Sequence, residues 1–245
     1  MHRFYAPDCL FNQNVDLPDA EARHLARVLR LKPGEWVVVF DGKGREAIAR
    51  IEHVGPRRVT VRATEAREAV PEPKIPLTLA QALLKRDKMD RVIRDAVMLG
   101  VAAVQPFVSQ RTEVPRVALR TGVRHERWER TVLSSVKQCG RAVVPPVLET
   151  KELRALLAAP SMGARLMFVE PGSDAGTVAD LESLEAERPA EATVLIGPEG
   201  GWDPEEVHEA ARAGLTLVTF GRRTLRADAA GAAAIAVLQY VWRDL

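Results

Sequence analysis

Residues 193–214 read TVLIGPEGGWDPEEVHEAARAG. An apolar run ends in Gly197-Pro198-Glu199-Gly200-Gly201, and a helix starts only beyond it. Asp203 can cap that helix, Pro204 suits its first position, Glu206 completes a capping box and Gly214 closes it. None of the glycines at 197, 200 and 201 is therefore needed to start the helix. A strand-to-helix connection ordinarily takes about two to six residues, and glycines clustered there imply backbone left bare for something to approach. In an open parallel sheet, ligands bind beyond the carboxyl ends of the strands, where this loop falls. A tight turn built on one left-handed glycine stays open as the alternative.

The ligand class narrows by exclusion. No Gly-x-x-x-x-Gly-Lys-Ser/Thr phosphate cradle occurs in the chain. The dinucleotide pattern is met only by GKGREA, 42–47, which lies between two β-like runs and reads as a hairpin turn. Glu199 repels phosphate and suits a cationic or hydroxyl-bearing ligand, so the loop is nucleotide-like without being phosphate-like. Two further loops follow strands in the same half: Glu170-Pro171-Gly172 after LMFV, and Gly221-Arg222-Arg223-Thr224-Leu225-Arg226 after LVTF. The helix after the second is apolar nearly all round (Ala229, Ala230, Ala232 to Ala234, Ile235, Val237, Leu238). Such a helix must be buried in the core or against a partner subunit.

The remaining chain sets the frame. Its 245 residues are 47% hydrophobic and 28% charged, a globular composition. No apolar run approaches the roughly 18 residues of a membrane span. MHRFYAPDCLFNQ lacks a signal-peptide layout. Cys9 and Cys139 form neither a disulfide framework nor a metal spacing, and His2, His53, His125 and His208 show no ligand spacing. No metal is expected, and a reducing cytoplasm is the default compartment. Net charge is only +2 but uneven: residues 111–141 carry eight Lys/Arg against three Glu, and 142–210 carry four against fourteen Asp/Glu. Solvated faces and a basic surface for phosphates are both consistent with that.

AVPEPKIP, 69–76, marks a boundary, giving domains at 1–70 and 77–245 with a linker at 71–76. Before it, EWVVVF, EAIARIEHV and RRVTVRATE alternate with turn signals, as in a small antiparallel β-barrel. DAEARHLARVLR reads as one helix with Ala22, Leu25, Val28 and Leu29 on a shared face. After it, PLTLAQAL, VAAVQPFV, RLMFVE, TVLIG and LTLVTFG read as strands between helices, including DKMDRVIRDAVMLG and an Arg-rich stretch around 121–140. Apolar strands alternating with helices predict an α/β domain with a parallel sheet covered on both faces.

LIGPEGGWDPEEV followed by FGRRTLRADAA resembles the paired C-terminal motifs of the 16S ribosomal RNA (uracil-N3)-methyltransferases of the SPOUT superfamily. RHLARVLRLKPGE resembles that family's N-terminal RNA-binding, PUA-like domain, LLKRDKMDRVIRDAVMLGVAAVQPFVSQRT its methyltransferase entry and KQCGRAVVPPV a central motif. The resemblance implies a C-terminal SPOUT-type parallel sheet with a deep trefoil knot. It also implies a homodimer and a site for S-adenosyl-L-methionine, with 16S ribosomal RNA of the small ribosomal subunit as partner.

By that resemblance the cofactor pocket draws on Phe168, Val169 and Glu170, on Ile196, Gly197, Pro198, Glu199, Gly200 and Gly201, and on Phe220, Gly221, Leu225, Arg226, Ala229 and Ala230. Arg226 holds the uracil or stabilises developing charge on it, and Glu199 or Asp228 accepts its proton or positions ribose hydroxyls. A structural ion pair between Arg226 and Asp228 is the open alternative. His24, Arg27 and Arg30, together with Lys85, Arg86, Arg111 and Arg141, are the candidates for gripping RNA. The chain departs from the family pattern at Met98 and Lys137, where Glu is usual, and at Ala227-Asp228-Ala229, where Thr-Glu-Thr is usual. Two other functions stay in view: a non-catalytic RNA-binding or ribosome-assembly factor on the same fold, and a SPOUT ribose 2′-O-methyltransferase.

Overall fold

A computed structural model of the chain describes residues 1–9, 12–56, 58–114, 123–160, 163–172, 178–185 and 188–244. Two compact units emerge: Met1–Glu72 with Leu133–Val144, and Pro73–Val132 with Pro145–Leu245. The segment 133–144 thus belongs with the N-terminal unit, although the sequence places it well inside 77–245. Its backbone is knitted in there, since Gly44 N–H donates to Ala142 O at 3.2 Å and Val144 N–H to Gly42 O at 2.9 Å.

The first unit is built on β1 (Arg3–Tyr5), β2 (Asn14–Asp16), β3 (Trp36–Phe40), β4 (Glu46–Val54) and β5 (Val59–Arg67). Their order is β1-β3-β4-β5-β2, antiparallel except where β1 runs parallel to β3. The described strands make a curled, half-barrel sheet ending at β1 and β2, not the closed barrel expected. Register shifts at Ile48/Ala49 and Ile51/His53 add to its bend. Residues 41–45 form the expected hairpin turn, in which Asp41 accepts from the N–H groups of Lys43 and Arg45 at 2.7 and 3.0 Å.

The first helix departs from its predicted register. α1 (Asp19–Arg23) passes into a π-helical turn, His24–Leu29, that stops at Arg30 with φ +55°. Widening the turn rotates the later residues, so Leu25 is buried but Val28 is 66% exposed instead of sharing the core face.

The second unit has β6 (Leu77–Ala82), β7 (Ala103–Val108), β8 (Lys151–Glu152), β9 (Ala164–Phe168), β10 (Ala192–Ile196) and β11 (Thr216–Val218). They form one parallel sheet in the order β11-β9-β10-β6-β7-β8. α2 (Lys88–Met98) buries Met89, Val92, Ile93, Ala96 and Val97, the five apolar positions read from the sequence. It packs with α6 (Ala227–Val241) on one face of the sheet. α4 (Leu153–Ala158) and α5 (Pro204–Arg212) cover the other, where Leu153, Leu157, Val207 and Ala210 join Phe107, Met167 and Leu195 in a core. α3 spans Val123–Cys139, and positions 121 and 122 of its predicted span lie outside the described residues. α6 is buried along Ala230, Gly231, Ala234, Ile235, Leu238 and Gln239, with Tyr240 75% exposed.

Candidate functional site

Three loops leave the carboxyl ends of neighbouring strands β9, β10 and β11 and converge on a cavity of about 450 Å³. Parallel strands put these ends on one edge of the sheet, so the site follows from topology. Phe168, Val169, Glu170 and Pro171 line it from the first loop. Ile196, Gly197, Pro198, Glu199, Gly201 and Trp202 line it from the second, and Phe220 with Arg223 to Asp228 and Ala230 from the third. Of the sequence-derived candidates, Gly200, Gly221 and Ala229 do not line it. Lys88 and Trp202 do, and neither was singled out from the sequence.

The glycines serve the loop's own packing as well as its openness. A Cβ on Gly197 would lie 2.9 Å from the Trp202 ring. One on Gly200 would lie 3.2 Å from Arg111 Cβ and its carbonyl oxygen. Gly201 has φ +69° and sits under Glu170, whose Oε1 would be 2.7 Å from an added Cβ. Trp202 is thereby pressed into the floor, where its Nε1–H donates to Phe168 O at 2.8 Å and its ring stacks on Phe107 at 5.9 Å. Phe168 stacks on Phe220 with centroids 4.5 Å apart, joining the first and third loops. Beneath the second loop, the fully buried Gln81 directs Nε2 at Gly197 O, 3.4 Å away.

Charged groups mark the rim. Asp203 caps α5 by accepting from Glu205 N–H at 3.1 Å, and Glu206 reaches back to Asp203 N–H at 3.3 Å, which completes the capping box read from the sequence. Glu199 Oε1 accepts from Lys88 Nζ at 2.8 Å and from Lys85 N–H at 3.2 Å. Burial pushes the Glu199 carboxyl up, but Lys88 and these N–H donors outweigh it and hold the group below its ordinary range. Arg226 forms a two-pronged pair with Asp228, Nε to Oδ1 at 3.0 Å and Nη2 to Oδ2 at 3.3 Å. That hydrogen-bonded pairing lowers the Asp228 carboxyl and raises the Arg226 guanidinium. The ion pair held open as an alternative is therefore formed, within the cavity lining.

The RNA candidates separate into unlike groups. His24, Arg27 and Arg30 are exposed on the π-helical turn of the first unit. In the second unit Arg86 is exposed, while Lys85 pairs with Glu113, and Arg111 Nη2 lies 3.4 Å from Asp203. Arg141 is a correction: only 5% exposed, it donates through Nε to Glu72 at 3.1 Å and its carbonyl accepts from Arg3. A guanidinium so enclosed is a structural tie. Cys139 is half-buried, with Sγ 3.8 Å from Val136 O. Among the described residues, no group of three or more His, Cys, Asp or Glu could hold a metal, and no helix is long and apolar enough to cross a membrane.

A family model for the RNA methyltransferase domain matches residues 71–239, and one for the RNA methyltransferase PUA domain matches 17–64. The chain belongs to the RNA methyltransferase family. Among solved relatives in this family is the ribosomal RNA small subunit methyltransferase E of Neisseria gonorrhoeae, bound to S-adenosyl methionine. It is 36% identical over 99% of this chain and 98% of its own, with a TM-score of 0.89. A Legionella pneumophila methyltransferase solved with bound SAM is 27% identical over 97% and 96% of the two chains, again at 0.89. The curated ribosomal RNA small subunit methyltransferase E of Synechocystis is 31% identical over 94% of this chain and 74% of its own.

Proposed function

We propose that the protein is an S-adenosyl-L-methionine-dependent methyltransferase that acts on N3 of one uridine in 16S ribosomal RNA of the small ribosomal subunit. The cavity at the ends of β9, β10 and β11 carries the reading. Its volume of about 450 Å³ falls in the roughly 300–1,000 Å³ range of small-molecule sites. Apolar Ile196, Leu225 and Ala230 suit an adenine, and the carboxylates of Glu170, Glu199 and Asp228 suit hydroxyl or ammonium groups. When bound there, the cofactor supplies an already activated methyl group, so alignment does most of the catalytic work.

The protein's own residues have a narrower task. Uracil N3 must lose a proton as it gains the methyl group, and charge develops on the ring oxygens. Arg226, 74% exposed at the rim, offers a guanidinium to those oxygens. Its Nε–Nη2 fork, which Asp228 occupies at rest, has to turn if the base is to take that same two-pronged grip. Turning to the base releases Asp228 from the bond that lowers its pKa, which makes Asp228 the stronger acceptor for the N3 proton. Glu199, held by Lys88, keeps a positioning role.

The same reading takes the 77–245 region as a trefoil-knotted SPOUT domain acting as a cytoplasmic homodimer. Tyr240 and the half-buried Ala232, Ala233 and Ala236 on α6 supply an apolar face for a second copy. Labelled cofactor incubated with purified small subunits, followed by nucleoside mass analysis, tests the reaction. Base-methylated uridine is expected. A ribose methyl would assign 2′-O chemistry, and no incorporation would leave an RNA-binding or assembly factor, a reading to which the Arg226–Asp228 pair lends support.

A further inference from the structure

Four side chains stand in a row across the outer face of the first unit's sheet. The register pairs Trp36 with Arg50, Arg50 with Arg62, and Arg62 with Asn14. The row therefore crosses β3, β4, β5 and β2, about 14 Å at the usual strand spacing. Their chain neighbours Val37, Ala49, Ile51, Val61, Ala63 and Val15 belong to the core, so alternation puts the row on the face turned away from it and from α1. All four residues are exposed, and Trp36 is 49% exposed. Trp128, Trp202 and Trp242 are 5%, 5% and 2% exposed. An indole left half in water is costly, and here it is set apart from the rest of its kind.

The same face is finished differently further along. Phe40 and Glu46 are buried there, the Arg3 guanidinium lies over the Phe40 ring at 5.1 Å, and Arg3 and Arg67 both pair with Glu46. The side chains of Arg50 and Arg62 make no hydrogen bond or ion pair among the described residues. One half of the face thus neutralises its cations internally, while the other presents two unpaired guanidiniums beside a flat aromatic ring.

We propose that Trp36, Arg50, Arg62 and Asn14 form a binding platform for an unpaired stretch of RNA. The indole would stack a base, the guanidiniums would pair with phosphates or stack in turn, and Asn14 would bond a base edge or ribose hydroxyl. A duplex keeps its bases stacked on one another and offers the ring nothing. An acidic protein surface would answer the arginines but leave the indole unexplained. The platform is separate from the π-helical turn bearing Arg27 and Arg30, because that turn packs Leu25 into the opposite, core side of the sheet. It rests on the reading of RNA as substrate.

Intrinsic fluorescence provides the test, since Trp36 is the solvent-accessible tryptophan among four. Acrylamide quenching is measured on the full protein, without cofactor, with and without an oligouridylate of about ten nucleotides. Bound RNA is expected to shield Trp36 from acrylamide. Trp36→Ala should weaken oligouridylate binding on the order of tenfold. Arg50→Gln with Arg62→Gln should flatten the slope of log affinity against log salt by about 1.4. Thermal melts confirm that these surface variants fold. Unchanged quenching at saturating RNA, unchanged affinity in both variants, no oligouridylate binding at all, or shielding by polyglutamate alone would each overturn the platform. Methyl transfer to small subunits is scored separately. Its loss with shielding intact rejects only the enzyme reading, and its persistence without shielding rejects only the platform.

Discussion

Lys88 Nζ donates to Glu199 Oε1 at 2.8 Å, tying the first turn of α2 to the loop after β10 across 111 positions of chain. A cation in the first turn of a helix opposes the macrodipole, so propensity does not account for it. Its partner does: the side chains of Lys88 and Glu199 are 26% and 25% exposed, and the pair forms part of the cavity wall.

Lys88→Met should therefore remove a pH-dependent part of the stability. Glu199 has its folded pKa lowered from the ordinary 4.5. The stabilisation this represents is fully present above that ordinary value and is lost as pH falls through the lowered one. Thermal unfolding of wild type and K88M across pH should show a gap in Tm at neutral pH that closes in acid. A gap of constant size would mean that Lys88 acts by packing alone.

Gly201 and Gly200 should respond unequally to alanine. At Gly201 the left-handed φ of +69° costs about 1–2 kcal/mol for a residue with a Cβ. The methyl would also displace the Glu170 carboxylate. Gly200→Ala meets only a 3.2 Å approach to Arg111, which a small shift relieves. Chemical denaturation should rank G201A below G200A, and calorimetry should find cofactor affinity reduced mainly in G201A. The reverse order would mean that Gly200 is the position where the backbone must stay bare.

Much of this was legible in the sequence because it is local. The Asp203–Glu206 capping box needs only four consecutive residues, and the α2 core face needs only helical periodicity. What escaped is non-local or too short to show a period. β1 and β2 are three residues each. The π-helical turn changes the period itself, which moved Val28 from the core to solvent. Lys88 reads as an ordinary solvated cation until Glu199 is brought beside it, and Trp202 as a core residue until Gly197 makes room for its ring.

Arg141 shows the same limit in reverse. As one basic residue in a basic stretch it reads as a phosphate contact, but its partner Glu72 lies 69 positions away and the guanidinium is enclosed. Arg141→Ala should cost about 3 kcal/mol, the lower end for a broken buried pair, because Glu72 is 30% exposed and can rehydrate. Oligonucleotide affinity at a temperature where the variant is folded should be unchanged. A stable variant with weakened binding would restore Arg141 to the RNA interface.

Arg226→Ala separates chemistry from scaffolding at the rim. Arg226 is the exposed partner and Asp228 the sheltered one, 74% against 13%. Removing the guanidinium should let the Asp228 carboxyl rise from its lowered value toward the ordinary one, visible as an upward shift of its carbon-13 titration midpoint. If the guanidinium also stabilises charge on the uracil, kcat should fall about 10²–10³-fold with cofactor affinity nearly unchanged. Arg226→Lys keeps a charge but not the fork that meets two oxygens at once, so it should recover only part of the rate while largely restoring the Asp228 midpoint. Equal losses of rate and cofactor affinity in R226A, both repaired by lysine, would make Arg226 a structural clamp on the third loop and move the burden of charge stabilisation to another group.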